Sequence, residues 1–178
     1  MKLWDKGTTI NESIEKFTVG SDRELDLYLA PYDILGSLAH VTMLETIGLI
    51  EKNELPLLTA ALKNLYRNAV SGNFIIEEGV EDVHSQVELL LTKEFGDLGG
   101  KIHSGRSRND QVMLDLKLFT REEIRKIVIN VSETIDQLLG KADENKDILM
   151  PGYTHLQVAM PSSFGLWLGA YAESLTDD

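Results

Sequence analysis

The sequence predicts an all-α fold, with an amino-terminal helical domain over residues 1–110 followed by the first part of a long helical bundle over residues 111–178. Three observations carry this. Apolar residues recur every three or four positions through most of the chain. Proline stands where periodic segments open, and glycine where they close. One apolar face also persists for about 30 residues, from Val112 to Ala142, roughly 45 Å at 1.5 Å per residue. That is too long for one small compact domain, so a long bundle, assembled across subunits, is expected.

The elements follow in order. Ser21 and Glu24 have capping-box spacing, and Pro31 restarts a segment in which Ile34, Leu35, Leu38, Val41, Leu44 and Ile47 keep helical period until Gly48 or Asn53. Pro56 opens a second helix through Leu58, Leu62, Leu65 and Ala69, closed by Gly72. Phe74-Ile75-Ile76 reads as a short strand or a loop. Val83, Val87, Leu90 and Leu91 mark a third helix ending at Gly96. The stretch from Gly96 to Asp110 has four glycines and few apolar residues, so it reads as a long loop, a common carrier of function. The long helix comes next, with Asn109 or Asp110 as its expected cap. Met150-Pro151-Gly152 breaks it, and Pro161 opens a run through Phe164, Leu168, Tyr171 and Leu175. Trp4, Trp167 and Tyr171 are expected in the core. Glu173, Asp177 and Asp178 put negative charge at a helix end that prefers positive charge, so the sequence reads as the amino-terminal portion of something longer. There is no internal repeat or low-complexity tract.

Composition narrows the function. The 178 residues are 43% hydrophobic and 26% charged, as in a folded globular protein. Seventeen basic against 29 acidic residues give a net charge of −12, a field that repels nucleic acid and anionic membrane. The absence of cysteine removes disulfides, cysteine metal sites and cysteine nucleophiles. No stretch approaches about 18 apolar residues, and the first residues have no apolar signal segment, so cytoplasm is the expected location. The sequons at Asn11 and Asn130 are then chance matches.

Against that acidic background, Lys101, His103, Arg106 and Arg108 lie within eight residues, followed by Asn109, Asp110 and Gln111. Two guanidiniums beside Ser104, Ser107 and Asn109 suit carboxylates or phosphates, and a helix start would add its positive end. The plainer alternative is that Arg106 and Arg108 pair with acidic surface groups. No phosphate-binding G-x-x-x-x-G-K-[ST] pattern occurs. A second candidate is the turn Pro151-Gly152-Tyr153-Thr154-His155-Leu156-Gln157, which offers a hydroxyl, an imidazole and an amide. His40 reads as an ordinary helix residue. Acidic capping around Glu81-Asp82 explains His84, with a substrate role second. The four histidines show no metal-ligand spacing, so no metal is expected.

Glu81-Asp82-Val83-His84, the string from Gly100 to Gln111 containing Gly105-Arg106-Ser107-Arg108-Asn109-Asp110-Gln111, and Pro151 to Gln157 together resemble the argininosuccinate lyase family of the fumarase and aspartase superfamily. Lys2-Leu3-Trp4 and Asp33-Ile34-x-Gly36-Ser37 resemble that family's opening, so the likeness spans nearly the whole chain. The resemblance implies an all-helical homotetramer that cleaves argininosuccinate reversibly to arginine and fumarate in arginine biosynthesis. It implies no cofactor, and active sites built from several subunits. By position, Arg108 and Asn109 would bind substrate carboxylates with Arg106 and Ser107 beside them. Thr154 would contact substrate, and His155 would belong to the proton-transfer machinery.

This sequence departs from the family pattern in places. Asp5-Lys6-Gly7-Thr8 replaces the usual Gly-Gly-Arg-Phe after Trp4, and Ser21 is the nearest match to a serine expected after a Phe-Asn pair. Ser104 stands where threonine is common, and Val158-Ala159-Met160 replaces Arg-Ala-Gln. The family's Gly-Ser-Ser-x-Met-Pro loop does not occur here, so these residues alone are expected to be inactive. Two other readings stand beside this one. One is a different fumarate-releasing lyase of the superfamily; the other is a non-catalytic, crystallin-like helical assembly protein.

Overall fold

The computed structural model of the protein describes Ile14, Phe17 and residues 19–178. Lys2-Leu3-Trp4, the departure at residues 5–8 and the Asn11 sequon lie outside the described residues. Helix α1 spans Asp22–Thr46, α2 Leu55–Val70, α3 Val83–Phe95 and the single turn α4 Asp97–Gly100. A 3-10 turn at Lys101–His103 leads into α5, Arg108–Glu144, and strands β1 (Leu149–Thr154) and β2 (Gln157–Ser163) precede α6 (Phe164–Asp177). Among the described residues, the regular structure is helical apart from this one hairpin. The chain divides into two units, Met1–Thr120 and Arg121–Asp178.

In the first unit, Ala30, Ile34, Val41 and Leu44 of α1 meet Leu58 and Leu62 of α2 and Val83, Val87 and Leu91 of α3. Ile50, Phe74, Ile76, Val80 and Ile102 from the connections close this core. Each buried Val, Leu, Ile or Phe side chain contributes about 1.5–3 kcal/mol, which is what fixes the three helices against one another. The helix α1 continues through Pro31 instead of restarting there. The carbonyl that proline leaves unpaired is that of Leu27, on the exposed face, where water can serve it. Ser21 caps α1 with its carbonyl, accepting from Glu24 and Leu25, and its side chain makes no cap bond. Residues 74–76 alternate buried, exposed and buried, but no strand among the described residues pairs with them, so they form an extended connection.

The predicted loop from 96 to 110 is more ordered than its glycines suggest. Gly96 closes α3 at φ +61°, and α4 then folds back on the end of α3. A Cβ at Gly99 would collide with the backbone of Leu91 and Thr92, so only glycine allows that approach. Gly105 adopts φ +74° just before α5. The cap of α5 is Ser107, not Asn109 or Asp110. The Ser107 N–H donates to Asp110 Oδ2 at 2.7 Å while the Asp110 N–H donates to Ser107 Oγ at 3.3 Å, a reciprocal capping box.

In the second unit, β1 and β2 form an antiparallel hairpin, with Pro151 opposite Pro161 and an irregularity between Gly152 and Tyr153. This is a correction to the plain turn expected between two helices. A two-stranded ribbon leaves each strand an outer edge, where proline's missing N–H goes unused. Ser163, rather than Pro161, begins the last helix: its Oγ accepts from the Leu166 N–H at 3.2 Å. Gly165 lets α6 approach the end of α5, since a Cβ there would lie 2.8 Å from the Ala142 carbonyl oxygen. Trp167 and Tyr171 are 46% and 52% exposed, contrary to the expected core position, and form an edge-to-face row with Phe164.

Candidate functional site

The cationic segment enters the first unit at the start of α5, and three of its charges have partners. Lys101 Nζ donates to Glu54 at 3.0 and 3.2 Å. Arg108 NH1 donates to Asp82 Oδ2 and, at 3.0 Å, to Ser85 Oγ, so this guanidinium sits on the N-terminus of α3. There Asp82 caps the helix through its other oxygen, accepting from the Ser85 N–H at 2.8 Å. Arg106 NH2 donates to Ser37 Oγ on α1 at 2.9 Å. The Nε atoms of both arginines are buried without a partner among the described residues. His40 Nε2 donates to the Ser104 carbonyl at 2.9 Å, securing the loop that leads to them. Burial, against the bond to Ser104, lowers the His40 pKa.

Beneath these arginines lies a cluster that the sequence reading did not single out. His84 Nδ1 donates to Asp33 Oδ1 at 2.8 Å and lies 3.7 Å from Asp115 Oδ2, while Gln111 Nε2 donates to the same Asp33 oxygen at 3.2 Å. Asp33 and Asp115 are 1% exposed, Gln111 4% and His84 5%. A Cβ at Gly36 would lie 2.8 Å from Leu114 Cδ2, and Tyr32 meets Phe119 edge-to-face at 5.9 Å, so α1 and α5 run close where Asp33 and Asp115 face one another. Burial alone would push the His84 imidazole down. The hydrogen bond to Asp33 and the charges of Asp33, Asp82 and Asp115 reverse this, and its pKa lies above the ordinary value. Burial and the neighbouring Asp33 charge push Asp115 up to about 7, against His84 and Arg106. Burial likewise lowers Arg106, against the attraction of Asp33 and Asp115.

Asp33, His84 and Asp115 bring potential metal-ligand atoms within 4.8 Å of one another. The donor set argues for an ionic cluster instead, because His84 Nδ1, the ring nitrogen facing both carboxylates, is already hydrogen-bonded to Asp33. A signal for the cluster did exist in the sequence. Asp33 and Ser37 interrupt the buried stripe of Ala30, Ile34, Val41 and Leu44, and Gln111 and Asp115 stand one turn apart on α5. Polar residues on an apolar stripe need buried partners.

Of the other residues singled out in sequence, Asn109 is exposed in the first turn of α5, and the Ser107 hydroxyl oxygen accepts from Asp110 in the capping box. Thr154 and His155 belong to the second unit, at the tip of the hairpin. Thr154 pairs with Gln157, and the two-residue turn between them is His155-Leu156, at φ +50° and +64°. Both are left-handed without a glycine, a conformation that costs roughly 1–2 kcal/mol per residue. Leu156 is 99% exposed, and such strain is concentrated at functional sites.

Two guanidiniums thus lie about the start of α5 over a buried ionic cluster, held by side chains of α1 and of the N-terminus of α3, and comparison with known proteins places the chain in a class. The chain belongs to the family described as "Lyase", whose model matches residues 7–178. It is 63% identical over 177 residues to argininosuccinate lyase of Phocaeicola vulgatus and 65% identical over 177 residues to that of Parabacteroides distasonis, in each case over 99% of this chain and 40% of the relative. Among solved structures, EDDS lyase in complex with formate matches with a TM-score of 0.73 and 25% identity, over 97% of this chain and 34% of that one. The chain thus spans about 40% of the length of the curated relatives it matches.

Proposed function

We propose that these residues form the amino-terminal part of an argininosuccinate lyase, which eliminates arginine from argininosuccinate to leave fumarate and runs the reverse addition, within arginine biosynthesis. Carrying this reading is the cationic segment 101–111 at the start of α5, in a chain similar over 99% of its length to lyases of that name. No helix among the described residues is long and apolar enough to cross a membrane. The reading places the enzyme in the cytoplasm as a homotetramer whose sites combine residues of several subunits, with no cofactor.

The chemistry requires removal of a proton from carbon beside a carboxylate and departure of a guanidinium. Negative charge accumulates on the succinyl carboxylate as the C–H bond breaks. Arg108, with Arg106, Asn109, Ser107 and the positive end of α5, meets that charge, and each preorganised donor contributes on the order of 3 kcal/mol to the transition state. Thr154 holds substrate at the hairpin tip. His155 takes part in proton transfer, either directly or through a group it activates, and contributes roughly 100- to 10,000-fold.

Testing this means measuring fumarate absorbance on argininosuccinate, adenylosuccinate and aspartate, with the complete lyase that includes these residues. Turnover of argininosuccinate alone is the expected result. Turnover of another substrate in its place, or silence from a properly assembled oligomer, would overturn the assignment.

A further inference from the structure

We propose that Asp33, His84 and Asp115 are positioning residues for the two arginines of the cationic segment, holding Arg106 and Arg108 at fixed places on α1 and α3. The inference rests on the lyase reading for its functional meaning and on the geometry of the first unit for its argument. Each member of the cluster comes from a different helix, and buried charges persist only when compensated. When Asp115 is ionised, two carboxylates and one imidazolium leave one negative charge over, and Arg106, attracted by Asp33 and Asp115, is the cation that offsets it. Its NH2 group is fixed to Ser37, one turn beyond Asp33 on α1, and its Nε is buried. Arg108 is held from the other side. Its partners Asp82 and Ser85 flank His84 in the first turn of α3, so the bond from His84 to Asp33 also fixes the register of the surface on which Arg108 sits.

The titratable and charged groups acting on the cluster and on Arg106 are Asp26 and Asp33 from α1, Asp82 at the cap of α3, His84 and Glu88 from α3, Arg106 from the loop, and Asp110 and Asp115 from α5. Loss of a proton from Asp115 therefore changes the field at Arg106 directly.

The test reads the guanidinium Nε–H signals of Arg106 and Arg108 by NMR in the 178-residue chain, assigned with Arg106→Lys and Arg108→Lys. In the unaltered chain the Arg106 signal should shift through neutral pH as the coupled pair of Asp115 and His84 loses its protons. In Asp115→Asn the Arg106 signal should move and lose that titration. In His84→Gln both arginine signals should broaden or move while the backbone amide spectrum away from the cluster persists. If Asp115→Asn does not fold, the titration in the unaltered chain decides. An Arg106 signal that is flat through neutral pH, or arginine signals unchanged in both folded variants, would overturn the proposal. In the complete enzyme, Asp115→Asn should raise KM for argininosuccinate about tenfold while kcat changes by less than about threefold. An unchanged KM in an active enzyme overturns only the positioning role, whereas failure of the unaltered enzyme to cleave argininosuccinate overturns the lyase reading and leaves the NMR result to stand by itself.

Discussion

His84 Nδ1 donates to Asp33 Oδ1 across 2.8 Å, joining α3 to α1 through a bond that spans 51 positions of sequence and lies wholly inside the first unit. Removing one partner of such a pair leaves the other buried and uncompensated. Asp33→Ala should therefore cost about 3–5 kcal/mol in denaturant unfolding. Combined with His84→Gln it should cost clearly less than the sum of the two, since both remove one interaction. Strict additivity would show that the pair is not energetically coupled.

The same cluster sets the direction of a pH effect. Asp115 has a folded pKa of about 7, raised from 3.8, so its stabilising contribution is complete below 3.8 and lost as pH rises through about 7. The His84 pKa is raised from 6.5, so its contribution is complete below 6.5 and lost as pH rises through the higher folded value. Glu54, Glu77, Asp110 and Asp143 are lowered, and their contributions fade only in acid, below the range where these two groups act. The thermal midpoint should be higher near pH 6 than near pH 8, and Asp115→Asn should flatten the difference. A midpoint that rises with pH across that window would contradict the assignment.

Gly99 allows α4 to touch the backbone of α3. Gly99→Ala would drive a methyl group into Leu91 and Thr92, with no flexible side chain to yield, and should cost about 1–3 kcal/mol by chemical denaturation. Gly100, with nothing within 4 Å of its would-be Cβ, should accept alanine with little change.

At the hairpin tip, Leu156 holds φ +64° with its side chain in solvent. Leu156→Gly should relieve strain and raise stability by about 1 kcal/mol, the direction that two-residue hairpin turns favour. A loss of stability would mean that the leucine side chain makes a compensating contact in the assembled protein.

Several of these features were legible in sequence and several were not, for physical reasons. The helices α2, α3 and α5 follow from apolar period, from Pro56 and from Gly72 and Gly96, all local signals. The continuous apolar face from Val112 to Ala142 accounts for most of the 37-residue length of α5, Arg108–Glu144. Tertiary context decided the rest. Pro31 reads as a break, yet α1 passes through it because one lost hydrogen bond on an exposed face is outweighed by burial on both sides. The hairpin escaped notice because Pro151 and Pro161 interrupt any strand-like alternation and the pairing that makes a strand is not local. The arginines, Thr154 and His155 were visible as a change of sign and as a motif. Asp33 and Asp115 showed only as polar positions on helices that must bury a face, and their meaning arises when three helices bring them to His84.

In the proposed function, the guanidiniums at the start of α5 and the imidazole at the tip of a hairpin act on the succinyl group of one substrate molecule. The most direct measurement is steady-state fumarate release from argininosuccinate by the complete enzyme and by its Arg108→Lys, His155→Asn and combined variants. Folded His155→Asn should lose roughly 100- to 10,000-fold in kcat, Arg108→Lys should lose kcat/KM, and the combined variant should lose less than the product of the two. Full activity in either folded single variant would contradict the claim.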